Sequence, residues 1–173
     1  MERESAVGDR LLQMFAHQVI EKMSQAVDLY HRLILVIAPA GKGKTRVLRC
    51  VHAVTGAPLI NVNLELSRRM LDLTERQRAV RLPQLLSELV RAFKSDVVLL
   101  DNTEILFAVA LRQDPLRLLQ GLSRTRTTVA AWNGALRDGN LTYATPEHPE
   151  YRRYPLQDFL YVDLDRRSPC DGS

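Results

Sequence analysis

Leu33-Ile34-Leu35-Val36-Ile37-Ala38-Pro39-Ala40-Gly41-Lys42-Gly43-Lys44-Thr45 is the stretch on which the fold of this chain turns. Its first six residues are apolar without a break and rich in β-branched side chains, which suits a strand covered on both faces in a parallel sheet. The character changes at Pro39. Gly41 and Gly43 permit backbone bends that bulkier residues resist, so the amides from about Ala40 to Thr45 can converge on an anion. Lys44 adds a charge that reaches terminal phosphates, and Thr45 a hydroxyl suited to Mg2+. Ala38 to Thr45 therefore reads as a P-loop, with alanine where the pattern usually begins on glycine, a departure that working P-loops accept. Ala40, Gly41, Lys42, Gly43, Lys44, Thr45 and Arg46 are the expected binding residues for a nucleoside triphosphate, taken here as ATP. Behind the loop, Val47, Leu48, Val51 and Val54 recur at helical spacing until Gly56 and Pro58 stop the helix.

Working outward, Leu12, Phe15, Val19, Met23 and Val27 mark one face of an opening helix from Asp9 to about Tyr30. Residues 1–30 are thus expected to pack as an amphipathic helix on a domain spanning 31–165. Downstream, strands are expected at Leu59–Asn63, Val97–Asp101, Thr127–Trp132 and Phe159–Leu164. Helices are expected from near Glu65, from Arg78 to Lys94 with Pro83 in its first turn, and over Ile105–Leu122 with a break at Asp114-Pro115. Alternation of buried strands with helices predicts an α/β three-layer sandwich around a mostly parallel five-stranded sheet. Asp138-Gly139-Asn140 signals a tight turn, and residues 138–154 form a hairpin or lobe, either packed on the sheet or offered to a partner, packing being the expectation. Residues 166–173 read as a disordered tail.

A triphosphate site also needs a carboxylate for the metal and a group that orients or deprotonates water. Val97-Val98-Leu99-Leu100-Asp101 resembles a Walker B strand delivering Asp101 to the carboxyl edge of the sheet, so Thr45 and Asp101 are the expected Mg2+ residues. Glu104 is the candidate base, although its charge would equally favour the start of the next helix. Asn133 is the candidate sensor of the terminal phosphate, with a plain Asn-Gly turn as the alternative. Arg152 and Arg153 are the candidate arginine fingers toward a neighbouring subunit, and Arg124 and Arg126 compete for that role.

The totals narrow the class. The chain has 173 residues, a hydrophobic fraction of 46% and a charged fraction of 25%, as one globular domain would, and no run approaches the roughly 18 apolar residues of a membrane span. No signal peptide is read at Met1–Ser5, so a cytoplasmic location is expected. Cys50 and Cys170 lack metal or redox spacing; Cys50 is expected as a small buried residue on a helix and Cys170 on the tail. The net charge of +4 admits DNA as a partner, but the arginines are dispersed and a solvated surface is the simpler account.

In order along the chain, the P-loop, Leu59–Ser67, Leu100–Phe107, Trp132-Asn133-Gly134, Leu141–Ala144 and His148–Tyr151 resemble the BrxF family of P-loop proteins from type 3 BREX phage-defence systems. The likeness runs from about Tyr30 to Leu164. It implies a small ATP-binding component working beside other BREX proteins, and the site residues imply an AAA+/ASCE-like ATPase acting as a homo-oligomer. AAA+ proteins usually continue into a helical lid; none is expected here. Two alternatives stand beside the ATPase: a small-molecule kinase, and a nucleotide-bound adaptor that does not turn over.

Overall fold

Leu33–Ala38 forms β1, and burial at all six positions meets the demand of its unbroken apolar run. This is seen in a computed structural model that describes residues 2–166. Four parallel neighbours complete the main sheet: β2 (Leu59–Asn61), β3 (Val97–Asp101), β4 (Thr127–Arg137) and β7 (Leu160–Asp163), in the order β2-β3-β4-β1-β7. Side chains alternate across it, as the strand period requires. Leu33, Leu35 and Ile37 enter a core beneath α3 (Val62–Arg69), α4 (Glu75–Arg91) and α5 (Pro115–Ser123); Ile34 and Val36 enter a second core beneath α1 (Glu2–Ala26) and α2 (Lys44–Thr55). The expected α/β layering with its mostly parallel five-stranded sheet is present.

The sheet is larger than expected. β4 does not end at Trp132 but runs 11 residues, leaving the parallel sheet at Asn133 and continuing as an antiparallel partner of β5 (Asn140–Tyr143). Asp138 and Gly139 make the two-residue turn with φ of 49° and 71°, the doubly left-handed geometry that Asp-Gly favours in hairpins. β6 (Arg152–Pro155) pairs with β5. The 138–154 segment is thus an extension of β4, anchored by aromatics. Tyr143 stacks on Phe107 with ring centres 3.5 Å apart, Trp132 meets Phe107 edge-on, and Tyr154 donates its hydroxyl to Asp114 Oδ1 at 3.0 Å.

Several helix boundaries differ from expectation, and for α3 and α4 the reason is a capping residue that acts earlier. α1 starts before Asp9 and stops at Ala26, leaving Val27 exposed. α3 starts at Val62 because the Asn61 side chain accepts from the Leu64 amide. α4 starts at Glu75 through a Thr74/Gln77 capping box, which puts Pro83 in its interior instead of its first turn. Proline there removes the donor to the Ala79 carbonyl, and the Gln113 side chain supplies a replacement at 2.7 Å. The 105–122 helix is instead two 3-10 turns, Glu104–Phe107 and Val109–Leu111, followed by α5 capped by Asp114 with Pro115 in its first turn. Cys50 is half-buried and free; Cys170 and the expected tail, from residue 167 on, lie outside the described residues.

The Gln113 substitution for a lost backbone donor can be measured. Gln113→Ala should cost about 1 kcal/mol in denaturant unfolding. In a Pro83→Ala background, where residue 83 regains its amide, the same change should cost less than half as much.

Candidate functional site

The polar groups of this sheet collect at the carboxyl ends of β1, β3 and β4, because the strands themselves offer only apolar surroundings. One cleft there, of about 290 Å3, is lined by Ala40, Gly41, Gly43, Lys44, Thr45 and Arg46 from the loop and α2, by Asp101, Asn102 and Glu104 after β3, and by Asn133 on β4. The insertion of β4 between β1 and β3 is what sets Asn133 beside the loop, where it pairs in register with Ala38.

Gly41 and Gly43 have φ of 73° and 91°, and Gly43 is the left-handed residue from which α2 starts. A substituted residue would be strained at both. Lys44 is 7% exposed, and its Nζ donates to the carbonyls of Ala38 at 2.9 Å and Pro39 at 2.8 Å. Burial lowers its pKa, while Glu104, Asp101 and Asp165 pull it up. A cation thus waits in the cleft at a desolvation cost that an anion would offset.

The turn after β3 is tightly held. Asp101 is buried and accepts from the Asn102 amide at 3.0 Å; Asn102 then takes a left-handed φ of 50°, which asparagine tolerates best after glycine. Buried Thr103 donates its hydroxyl to the Ala131 carbonyl at 2.6 Å, fastening the turn to β4. Glu104, at the start of its 3-10 turn, accepts from Asn133 Nδ2 at 2.5 Å. Candidate base and candidate sensor are therefore in direct contact. Asn102 and Thr103 lie inside the Leu100–Phe107 stretch, but the sequence assigns them no role in the site. A left-handed Asn directly after a strand and a buried threonine leave only weak marks in a sequence.

Not every expected residue enters. Lys42 is exposed and stands outside the cleft lining, and Arg46 lines the cleft while pairing with Asp9 of α1 at 3.3 Å. Arg152 and Arg153 lie on β6, outside the cleft of their own chain; Arg152 donates to the Tyr151 carbonyl and Arg153 is exposed. Arg126 holds the Val90 and Phe93 carbonyls, and Arg124 lies over the Tyr30 ring, both before β4 and away from the cleft.

Asn133 also lines a second cleft of about 360 Å3, which runs from Pro39 and Ala40 to Tyr143, His148 and Glu150 on the β4–β6 extension. Gly134 forms part of that wall. A Cβ there would come within 1.8 Å of the Thr142 carbonyl oxygen, which already accepts the Trp132 Nε1–H at 3.0 Å.

No family of known proteins matches the chain, and no curated protein is similar to it.

Two outcomes test this geometry. Gly134→Ala should destabilise the protein by about 3 kcal/mol in denaturant unfolding, the scale of a severe steric mutation. Lys44→Met should leave the melting temperature unchanged or raise it near neutral pH. The wild type carries a folded-state lysine pKa below its unfolded value, so the unfolded chain binds more protons and stability rises with pH up to the unfolded lysine range. That rise should be smaller in Lys44→Met, read by melting curves between pH 7 and 10.

Proposed function

We propose that this chain is a P-loop protein of AAA+/ASCE-like type that binds ATP with Mg2+ at the Ala38–Thr45 cleft and hydrolyses it. We place it as a cytoplasmic component of a type 3 BREX phage-defence complex. The observation that carries the reading is the convergence of Lys44, Thr45, Asp101, Glu104 and Asn133, from three separate stretches of chain, on one cleft. Of the segments on which the resemblance to BREX P-loop proteins rests, all but Leu59–Ser67 contribute residues to this cleft or the wall beside it.

In this reading the loop amides and Lys44 take the β- and γ-phosphates. The residues suit Mg2+: Thr45 and Asp101 share the cleft, and no cluster of three or more acidic, His or Cys ligands occurs among the described residues. Mg2+ takes one or two protein oxygens and completes its shell with phosphates and water. When bound, the ion neutralises charge on the phosphates. Glu104 accepts a proton from the water attacking the γ-phosphorus, while the bond to the β,γ-bridging oxygen breaks and ADP leaves with that electron pair. Asn133 donates to the γ-phosphate or the water. Both roles require the Glu104–Asn133 hydrogen bond to yield, so this contact restrains the base.

Homo-oligomerisation would set Arg152 and Arg153, on the outer strand of the extension, near a neighbour's phosphates. A kinase is the second reading, favoured by the 360 Å3 cleft that opens past Asn133 at the terminal-phosphate end.

The test is ATP binding and phosphate release by wild type, Lys44→Ala and Glu104→Gln, with partner BREX proteins added and the oligomeric mass followed. Lys44→Ala should weaken ATP binding at least 100-fold. Glu104→Gln should keep binding and lose at least 10-fold in turnover, in line with a general base. Absence of ATP binding by wild type overturns the reading, and transfer of labelled phosphate to a small acceptor replaces the ATPase with the kinase.

A further inference from the structure

α4 packs one side on the sheet and borders a furrow on the other. Two clefts follow one another along it. The first, about 630 Å3, lies between the amino-terminal half of α4 and the Leu111–Gln113 bend; the second, about 230 Å3, lies between its carboxyl-terminal half and α5. Gln113, bound to the Ala79 carbonyl, marks their junction.

The charge of this furrow is one-sided. Arg76 and Arg112 line the first cleft, and Arg91, Arg117 and Arg126 the second, against Glu75 as the one carboxylate lining either. Arg126 is committed to backbone carbonyls, and Arg117 is held only loosely by Asp114 at 3.7 Å with its side chain 85% exposed. Arg76, Arg91 and Arg112 are exposed and form no ion pair among the described residues. Two nearby carboxylates are already engaged, Asp114 by Arg117 and Tyr154 and Glu88 by the Gln84 amide, which leaves Glu75 as the one acid facing these arginines in the lining. Arg112 also holds a left-handed φ of 51°, an uncommon state for so large a side chain, on the rim of the furrow.

We propose that this furrow docks the phosphate backbone of duplex DNA without reading its sequence. Guanidinium groups match phosphate oxygens in a planar, bidentate fashion. Arg76 and Arg91 stand roughly 22 Å apart along the helix, the span of about six base pairs. No aromatic side chain lines either cleft, so nothing there stacks on unpaired bases as single-strand binders do. The one side-chain amide in the lining, Gln113, is occupied by backbone carbonyls and leaves the bases unread. The furrow shares no lining residue with the Lys44 cleft, so this docking is independent of the nucleotide reading.

Fluorescence anisotropy with a labelled duplex of about 20 base pairs, across 50–200 mM salt, tests it on the full chain. With about four phosphate contacts, affinity should fall about 100-fold over that range. Arg76→Ala/Arg91→Ala/Arg112→Ala should bind at least tenfold more weakly at 50 mM salt, with a log–log salt slope shallower by about 2.7, while circular dichroism reports an unchanged fold. Arg10→Ala/Arg49→Ala, on the opposite helical layer, should stay within twofold of wild type. Lys44→Ala should bind DNA as wild type does even where it loses ATP. No duplex binding by wild type at 50 mM salt overturns the proposal. So does a triple variant with wild-type affinity and slope, or tighter binding of single-stranded DNA or duplex RNA of the same length.

Discussion

Each side chain of β1 is sealed from water, on one face by the α1–α2 layer and on the other by α3–α5. A strand in that position has no tolerance for charge, since an unpaired ion in the interior costs several kcal/mol or more. Polar chemistry is displaced to the strand ends. At the carboxyl edge the chain leaves β1 through Pro39 and two left-handed glycines, and the first charge it buries, past exposed Lys42, is Lys44. The central strand and the cleft are thus two consequences of one constraint: the more completely β1 is buried, the more sharply its exit must turn, and the more donors that turn leaves facing one point.

The opposite wall of the cleft is organised by a different device. Asp101, Asn102, Thr103 and Glu104 follow one another directly, yet each is fixed by a separate contact: a local backbone bond, a left-handed φ, a hydroxyl bonded to β4, and an amide from Asn133. A left-handed non-glycine residue costs on the order of 1 kcal/mol or more and persists only where its surroundings hold it. Thr103 is well placed to do that, because its bond reaches the strand that carries Asn133 two residues later. The turn is therefore tied to β4, and the acid pair cannot shift relative to Asn133 without breaking a buried hydrogen bond.

The layered α/β fold could be read from the sequence because it rests on periodicity, and periodicity is local. Leu33–Ala38 and Val97–Leu100 announce buried strands without reference to anything distant. Asp138-Gly139 specified its hairpin turn for the same reason. What escaped was set by partners far along the chain. Pro83 looked tolerable only in a first helical turn, yet it sits mid-helix because Gln113, 30 residues on, caps the carbonyl it strands. Asn133-Gly134, for which a plain turn is the alternative reading from sequence, lies within β4, where Gly134 is required by the approach of the Thr142 carbonyl and not by its own φ. The same division applies to the cleft. Loop residues were identifiable by their order, whereas Thr103 and the Glu104–Asn133 contact exist only once β4 lies against β3.

The two halves of the cleft hold opposite charges in different states of readiness. Lys44 is folded back on the Ala38 and Pro39 carbonyls at the start of the loop, and Glu104 is held by Asn133, so each is engaged within its own half of the cleft. An anion in the cleft would offset by its charge the burial that depresses the Lys44 pKa, but the same anion would repel Glu104 across a cleft of about 290 Å3. A divalent cation held by Thr45 and Asp101, as proposed, would remove that conflict by screening the anion from the carboxylates. For the proposed ATPase this makes metal and nucleotide binding mutually dependent. Without the ion, the phosphates and the two acids compete for one lysine; with it, Asn133 can exchange Glu104 for a phosphate oxygen at little electrostatic cost.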